Sequence, residues 1–243
     1  MIRYLTIFCL CGAFSILCAI AIIGVVFATA SPKIPEVSKL LDYQPKMPLR
    51  IMTADGVQIA EFGRERRKLV DFDEVPKILV QAILAAEDDR FFKHQGIDIN
   101  GILRSAINNV LKGSKAQGGS TITMQVARNF FLSSEKTFGR KFRELVLAII
   151  IEQKLSKNEI LELYLNKIFL GHRAYGIGSA AQVYYGKEIT DLDLAQMAMI
   201  AGLPKAPSRT NPITNALAAK KRRLYVLSRM EKLGFITRSE FDA

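Results

Sequence analysis

Beyond residue 18 the chain has no cysteine; its three, Cys9, Cys11 and Cys18, all lie in one apolar stretch near the N-terminus. That excludes a disulfide framework or a cysteine-based zinc site from the rest of the chain. Histidine is almost as scarce, with only His94 and His172, which speaks against a histidine-rich metal site. Acids are also few: 23 Asp and Glu face 34 Lys and Arg, a net charge of +11 over 243 residues. Such an excess points to an anionic partner, whether nucleic acid, acidic lipid headgroups or a phosphorylated substrate, and does not choose among them. There is no repeat of fixed period and no low-complexity tract. With 49% hydrophobic residues the chain can bury a core of its own, as one domain with additions rather than two full domains.

What is there begins with a long apolar run. No charged residue occurs from Tyr4 to Ser31, and a helix from Leu5 to Ala28 would measure about 36 Å at 1.5 Å per residue, enough to span a bilayer. Ala28-Thr29-Ala30 has the small-x-small form of a signal cleavage site, but the run far exceeds the roughly 7–15 apolar residues of a signal core, which favours a retained anchor at residues 4–30. Arg3 suits a short cytoplasmic tail of residues 1–3, although Lys33, Lys39 and Lys46 follow on the other side. Ser31 to Pro48 holds four of the eight prolines and reads as a linker. Leu49–Thr53 and Val57–Phe62 then flank Ala54-Asp55-Gly56, the turn chemistry of a β-hairpin.

From Pro76 the period becomes helical. Ile78, Leu79, Ala82, Ile83 and Ala86 fall on one face, and that helix ends at Glu87. Asp98 caps a second, with the stripe Ile99, Ile102, Leu103, Ala106, Ile107 and Val110 closed by Gly113. Further helices begin near Ser120, after Thr137 and after Ser156, whose spacing to Glu159 is that of a capping box. Gly186, Gly202-Leu203-Pro204 and Gly234 stand where helices should stop. Thr237 and Glu240 repeat the capping-box pattern just before Ala243, so the chain is expected to be the N-terminal part of a longer polypeptide. The body at 49–243 is mainly α.

Four segments could carry chemistry. Glu87-Asp88-Asp89 crowds like charges at the end of an apolar helix, which raises one carboxylate's affinity for a proton as a general base requires; the plainer reading is a solvated helix end with Arg90 and Lys93 as counter-ions. Gly118-Gly119-Ser120-Thr121 opens a helix whose free N–H groups would suit a phosphate, or is an ordinary capped loop. Gly113 to Ser120 also matches a nucleotide-binding loop except that Gly119 replaces the lysine, and the preceding segment reads as helix, so that assignment is rejected. Arg140, Lys141 and Glu144 share one helix face, where the plain reading is a surface ion pair of about 0.2–0.5 kcal/mol. Phe130, Phe131, Leu132, Lys136 and Phe138 suit either core or membrane-dipping surface.

Taken in order, these segments resemble the five motifs of the peptidoglycan glycosyltransferase domain, the family 51 glycosyltransferases of class A penicillin-binding proteins. The first is Glu87-Asp88-x-x-Phe91-x-x-His94-x-Gly96; the second is Gly119-Ser120-Thr121-Ile122-Thr123-Met124-Gln125 with Arg128-Asn129. Arg140-Lys141-x-x-Glu144 resembles the third. Lys157 with Ile160-Leu161-x-x-Tyr164-Leu165-Asn166 is similar to the fourth, and Arg222-Arg223-x-x-Val226-Leu227 to the fifth. Met124 stands where many relatives carry glutamine, and Arg128 where many carry lysine. The likeness runs from about Leu49 to the end.

The resemblance implies a mainly helical, lysozyme-like fold with a small membrane-associated jaw, a short β-hairpin and one N-terminal transmembrane helix in a bacterial inner membrane, with the catalytic domain on the periplasmic side. It implies Glu87 and Glu144 as the catalytic carboxylates. Glu87 would take the proton from the 4-hydroxyl of lipid II as that oxygen attacks the growing strand, inverting the linkage and releasing undecaprenyl diphosphate. Substrate-binding residues carried over are Asp88, Phe91, His94, Gly119, Ser120, Thr121, Gln125, Arg128, Asn129, Arg140 and Lys141. No metal ligand or cofactor is implied, with a divalent cation (Mg or Mn) admitted at the diphosphate. Expected partners are lipid II, the glycan strand, membrane lipids and phosphoglycolipid inhibitors of the moenomycin type, with no nucleic acid. Ser133-Ser134-Glu135-Lys136 is the only Ser-x-x-Lys and lacks its companion motifs, so any transpeptidase is expected beyond Ala243. The rivals are a lytic transglycosylase or muramidase, which cleaves glycan and which the third motif disfavours, and a non-catalytic anchored protein that binds anionic lipid or nucleic acid.

Overall fold

The computed structural model describes residues 47–111, 119–132 and 137–243, with Gly12, Phe14, Leu40 and Pro45 besides. The apolar run at 4–30 and the linker at 31–48 fall almost wholly outside the described residues, as do Gly113, Gly118 and the Ser133–Lys136 tetrapeptide. Among the described residues no helix is long and apolar enough to cross a membrane.

The hairpin forms where the turn chemistry puts it: β1 (Leu49–Met52) pairs antiparallel with β2 (Gln58–Phe62), Leu49 opposite Phe62 and Arg50 opposite Glu61. A two-residue parallel pair, β3 (Arg66–Arg67) with β4 (Ala174–Tyr175), ties the following segment to the body. Among the described residues everything else of regular form is helix: α1 (Lys77–Glu87), α2 (Ile99–Leu111), α3 (Ile122–Phe131), α4 (Phe138–Lys154), α5 (Lys157–Lys167), α6 (Ile177–Tyr185), α7 (Leu194–Gly202), α8 (Ala216–Lys232) and α9 (Arg238–Asp242), with short 3₁₀ turns between. The protein is mainly helical.

Local signals place most helix ends. Thr137 caps α4, while the Ser156–Glu159 and Thr237–Glu240 capping boxes open α5 and α9 as expected. Asp193 and Gln196 form one more box, at α7. Gly186 ends α6 in the left-handed conformation. α3 begins near Ser120 as expected: Thr121 caps it by accepting the Met124 N–H, and Ser120 lies in the preceding loop.

The core is assembled around two groups. α1 packs on α7 and α8, burying Leu79, Ala82 and Ile83; α3 packs on α4 and α5, burying every residue from Ile122 to Ala127. Each fully buried Leu or Ile contributes about 1.5–3 kcal/mol. Phe130, Phe131 and Leu132 pack partly buried against this core.

The stripe on α2 is not covered: Ile99, Leu103 and Ile107 are exposed, Ile99 by 74%. Periodicity specifies one apolar face and not what covers it.

Gly96 shows how closely the first motif is folded in. Its φ is +83°, and a Cβ there would lie 2.8 Å from the Ala148 carbonyl oxygen on α4. Gly96→Ala should therefore cost about 2 kcal/mol, read as a lower denaturant midpoint; an unchanged midpoint would contradict this packing.

Candidate active site

α1 ends at the wall of a groove of about 670 Å³. Glu87 is its last residue, with a side chain 13% exposed. Gln125, on the first turns of α3, donates to Glu87 Oε2 at 2.9 Å. Arg222, on α8, brings Nη2 to 3.6 Å from Oε1 and is itself held by the Gly202 carbonyl at 3.2 Å and the Tyr225 ring. Burial pushes the Glu87 carboxyl above its ordinary value, opposed by the Gln125 hydrogen bond and by the charges of Arg222, Lys205 and Arg128. The solvated-helix-end reading is thus overturned for Glu87.

Asp88 turns the other way. Both its oxygens lie 3.1 Å from His94 Nε2, and Oδ2 accepts the Ile122 N–H at 3.0 Å. The anion at the N-terminus of α3 is therefore the protein's own, where the glycine-hydroxyl sequence suggested a phosphate. Thr121 likewise spends its hydroxyl internally, donating to the Gly96 carbonyl at 2.6 Å. Phe91 is buried in the core beneath the Lys157 ammonium, 4.4 Å from its ring centre. Lys157 also donates to the His94 carbonyl at 2.6 Å and to Glu152 at 2.7 Å, and Thr123 meets the same Glu152 oxygen at 2.6 Å. Phe91 and His94 are thus packed behind the groove rather than along it, and Asp88 and Thr121, though at its wall, are spoken for by internal partners.

A second polar cluster adjoins the groove. Glu144 is 2% exposed, bonded to Arg140 and, at 2.9 Å, to Lys141. Glu144 and most of Arg140 are thus buried while Lys141 stays partly exposed, unlike the surface pair that spacing alone suggests. Lys141 also donates to Ser120 Oγ at 2.7 Å, and Ser120 with Gly119 and Arg128 lines the groove. Glu144 consequently reaches the groove only through Lys141 and Ser120. Burial, then the neighbouring Arg128 and Arg140, push the Lys141 ammonium down to about 8. Asn129 is partly buried and outside the groove lining.

Several groove residues escape motif reading. Arg222 belongs to the fifth motif, which assigns it no role; Asp89 enters only as part of the acidic run with Glu87 and Asp88, and Arg104, Lys205, Lys221 and Arg229 lie outside the motifs. The run Lys220-Lys221-Arg222-Arg223 was the available signal. Among the described residues no group of three or more His, Cys, Asp or Glu side chains could hold a metal ion.

Comparison with known proteins finds relatives over most of the chain. A family profile described as Transglycosylase matches residues 55–231. The chain is 51% identical over 223 residues to penicillin-binding protein 1A of Neisseria gonorrhoeae, covering 92% of this chain and 28% of that protein. It is 52% identical over 213 residues to penicillin-binding protein 1A of Pseudomonas aeruginosa, covering 88% and 26%. A crystal structure of penicillin-binding protein 1A from Haemophilus influenzae aligns over 82% of this chain and 20% of that one, at 33% identity and a TM-score of 0.47. The chain thus spans little more than a quarter of the length of the curated relatives it matches. With the profile covering most of its residues, the chain belongs to the transglycosylase family, as the glycosyltransferase domain of class A penicillin-binding proteins.

Proposed function

We propose that this domain polymerises lipid II into glycan strands. The observation that carries the reading is Glu87: a carboxylate with a raised proton affinity, oriented by Gln125, at the wall of a groove also lined by Arg104, Arg128, Lys205, Lys221, Arg222 and Arg229. The sugar 4-hydroxyl of lipid II attacks the anomeric carbon of the growing strand. Its O–H proton passes to Glu87 as the new C–O bond forms, and the bond to the lipid diphosphate breaks with inversion. Charge grows on the departing diphosphate, and Lys141, Ser120 and Arg128, supported by Arg140 and Glu144, are the groups suited to receive it. Gln125 serves the base rather than the sugar, and Asp88, Phe91, His94 and Thr121 hold the turn after Glu87 against α3. A divalent cation at the diphosphate is compatible with this arrangement and forms no part of it.

The same proposal covers the membrane. Residues 4–30 anchor the chain in the inner membrane, 31–48 link, and 49–243 form the lysozyme-like catalytic domain on the periplasmic face, with α2 as part of the jaw. The exposed Ile99, Leu103 and Ile107 suit that jaw, since they would leave water for lipid and bring the groove to lipid-linked substrates. A phosphoglycolipid of the moenomycin type would compete for the diphosphate-binding cations.

Purified protein incubated with lipid II should yield glycan polymer; cleavage of pre-made glycan, or no reaction, would refute the reading. The pH profile is a sharper check. Glu87 works only deprotonated, so kcat/KM should rise through a pKa above the ordinary glutamate value. Lys141 assists only while protonated, so kcat/KM should fall as pH passes about 8. A profile that stays flat through about pH 8 and for roughly a unit beyond it would remove Lys141 from the mechanism.

A further inference from the structure

Asp89 lies two residues beyond Glu87, in the same groove, and takes no part in the reaction described. Its carboxylate, 12% exposed, stands between two arginines from different helices. Oδ2 is 2.6 Å from Arg229 Nη2 on α8, and Oδ1 is 3.4 Å from Arg104 Nη2 on α2. Arg229 is also held by the Ala85 carbonyl, to which its Nε donates at 3.3 Å. It therefore keeps its place whether or not Asp89 is there. Arg104 is half exposed, and its contact with Asp89 is long. Both arginines line the groove, and neither belongs to the Lys141, Arg140 and Glu144 cluster.

We propose that Asp89 is an internal counter-ion, occupying between Arg104 and Arg229 the place of a substrate phosphate and so setting the affinity of the groove for anionic ligands. The inference rests on the lipid-diphosphate reading above. Two guanidiniums in a partly buried groove attract a phosphate strongly, and one carboxylate between them cancels half of that charge. A ligand phosphate gains only the difference between itself and Asp89, so binding is weakened and release is eased. The long, exposed Arg104 contact is the arm that gives way first; Arg229, anchored to α1, stays to receive the ligand.

The test is the affinity of the full chain in detergent for inorganic diphosphate, by calorimetry. Asp89→Asn keeps the shape and removes the charge, and should bind about tenfold more tightly, with a steeper loss of affinity as salt is added. Adding Arg229→Gln to that variant should erase the gain. If Asp89 merely clamps the arginines, Asp89→Asn will bind no better than the parent or worse, which overturns the proposal, as does a gain that survives Arg229→Gln. Asp89→Ser provides the same readout if the asparagine variant folds poorly. Because diphosphate binding is measured without turnover, its failure is separable from failure of the parent chain to polymerise lipid II.

Discussion

Glu87→Gln should lower polymerisation of lipid II by at least about 10²–10⁴-fold, the usual contribution of a positioned general base, while leaving the protein folded. The amide retains an oxygen that can accept from Gln125 Nε2, now at 2.9 Å, so the end of α1 keeps its anchor. Because burial disfavours the ionised form of Glu87, replacing it by a neutral isostere relieves a cost. Stability should therefore change by less than about 1 kcal/mol. The combination of lost turnover, unchanged denaturant midpoint and unchanged substrate affinity isolates the proton transfer. Turnover near that of the parent would sink the assignment, and a collapsed midpoint would mean that the carboxylate serves the fold instead.

Glu144→Gln should fail for the opposite reason. Glu144 is 2% exposed and bonded to both Arg140 and Lys141, so removing its charge leaves two cations facing each other in a partly buried site. Breaking a buried pair costs about 3–5 kcal/mol, and the lower end applies because Lys141 is 42% exposed and screened. Activity should fall along with stability. The pH profile distinguishes positioning from simple damage. A carboxylate favours the charged form of a neighbouring lysine; without it, the Lys141 ammonium should titrate below about 8 and the alkaline limb of residual activity should move to lower pH. An alkaline limb that stays in place, in a variant shown to be folded, would detach Glu144 from Lys141.

How much of this was legible beforehand depended on the distance over which each feature is determined. The caps at Thr137, Ser156 and Thr237 were readable because a side chain and an N–H three residues away settle them. The place of Glu87 was readable because it closes an apolar helix. The anion at α3 is a matter of long-range pairing: the sequence around Gly119 and Thr121 fits either a phosphate or a plain capped loop, and the carboxylate that meets the Ile122 N–H, Asp88, lies 34 residues away. Spacing likewise put Arg140, Lys141 and Glu144 on one face and could not say that the face is buried. The Asp89 bridge was out of reach, since Arg229 stands 140 residues away and carries no local signature. For α2 the pattern identified the apolar stripe and left its covering undetermined.

The first turns of α3 connect to four places at once: Thr121 to Gly96, Ile122 to Asp88, Thr123 to Glu152 and Gln125 to Glu87. Each added residue rotates the remainder of a helix by about 100°. A single insertion between Thr121 and Gln125 would swing Gln125 away from Glu87 while leaving the N-terminal hooks engaged. The length of α3 is therefore not free to drift.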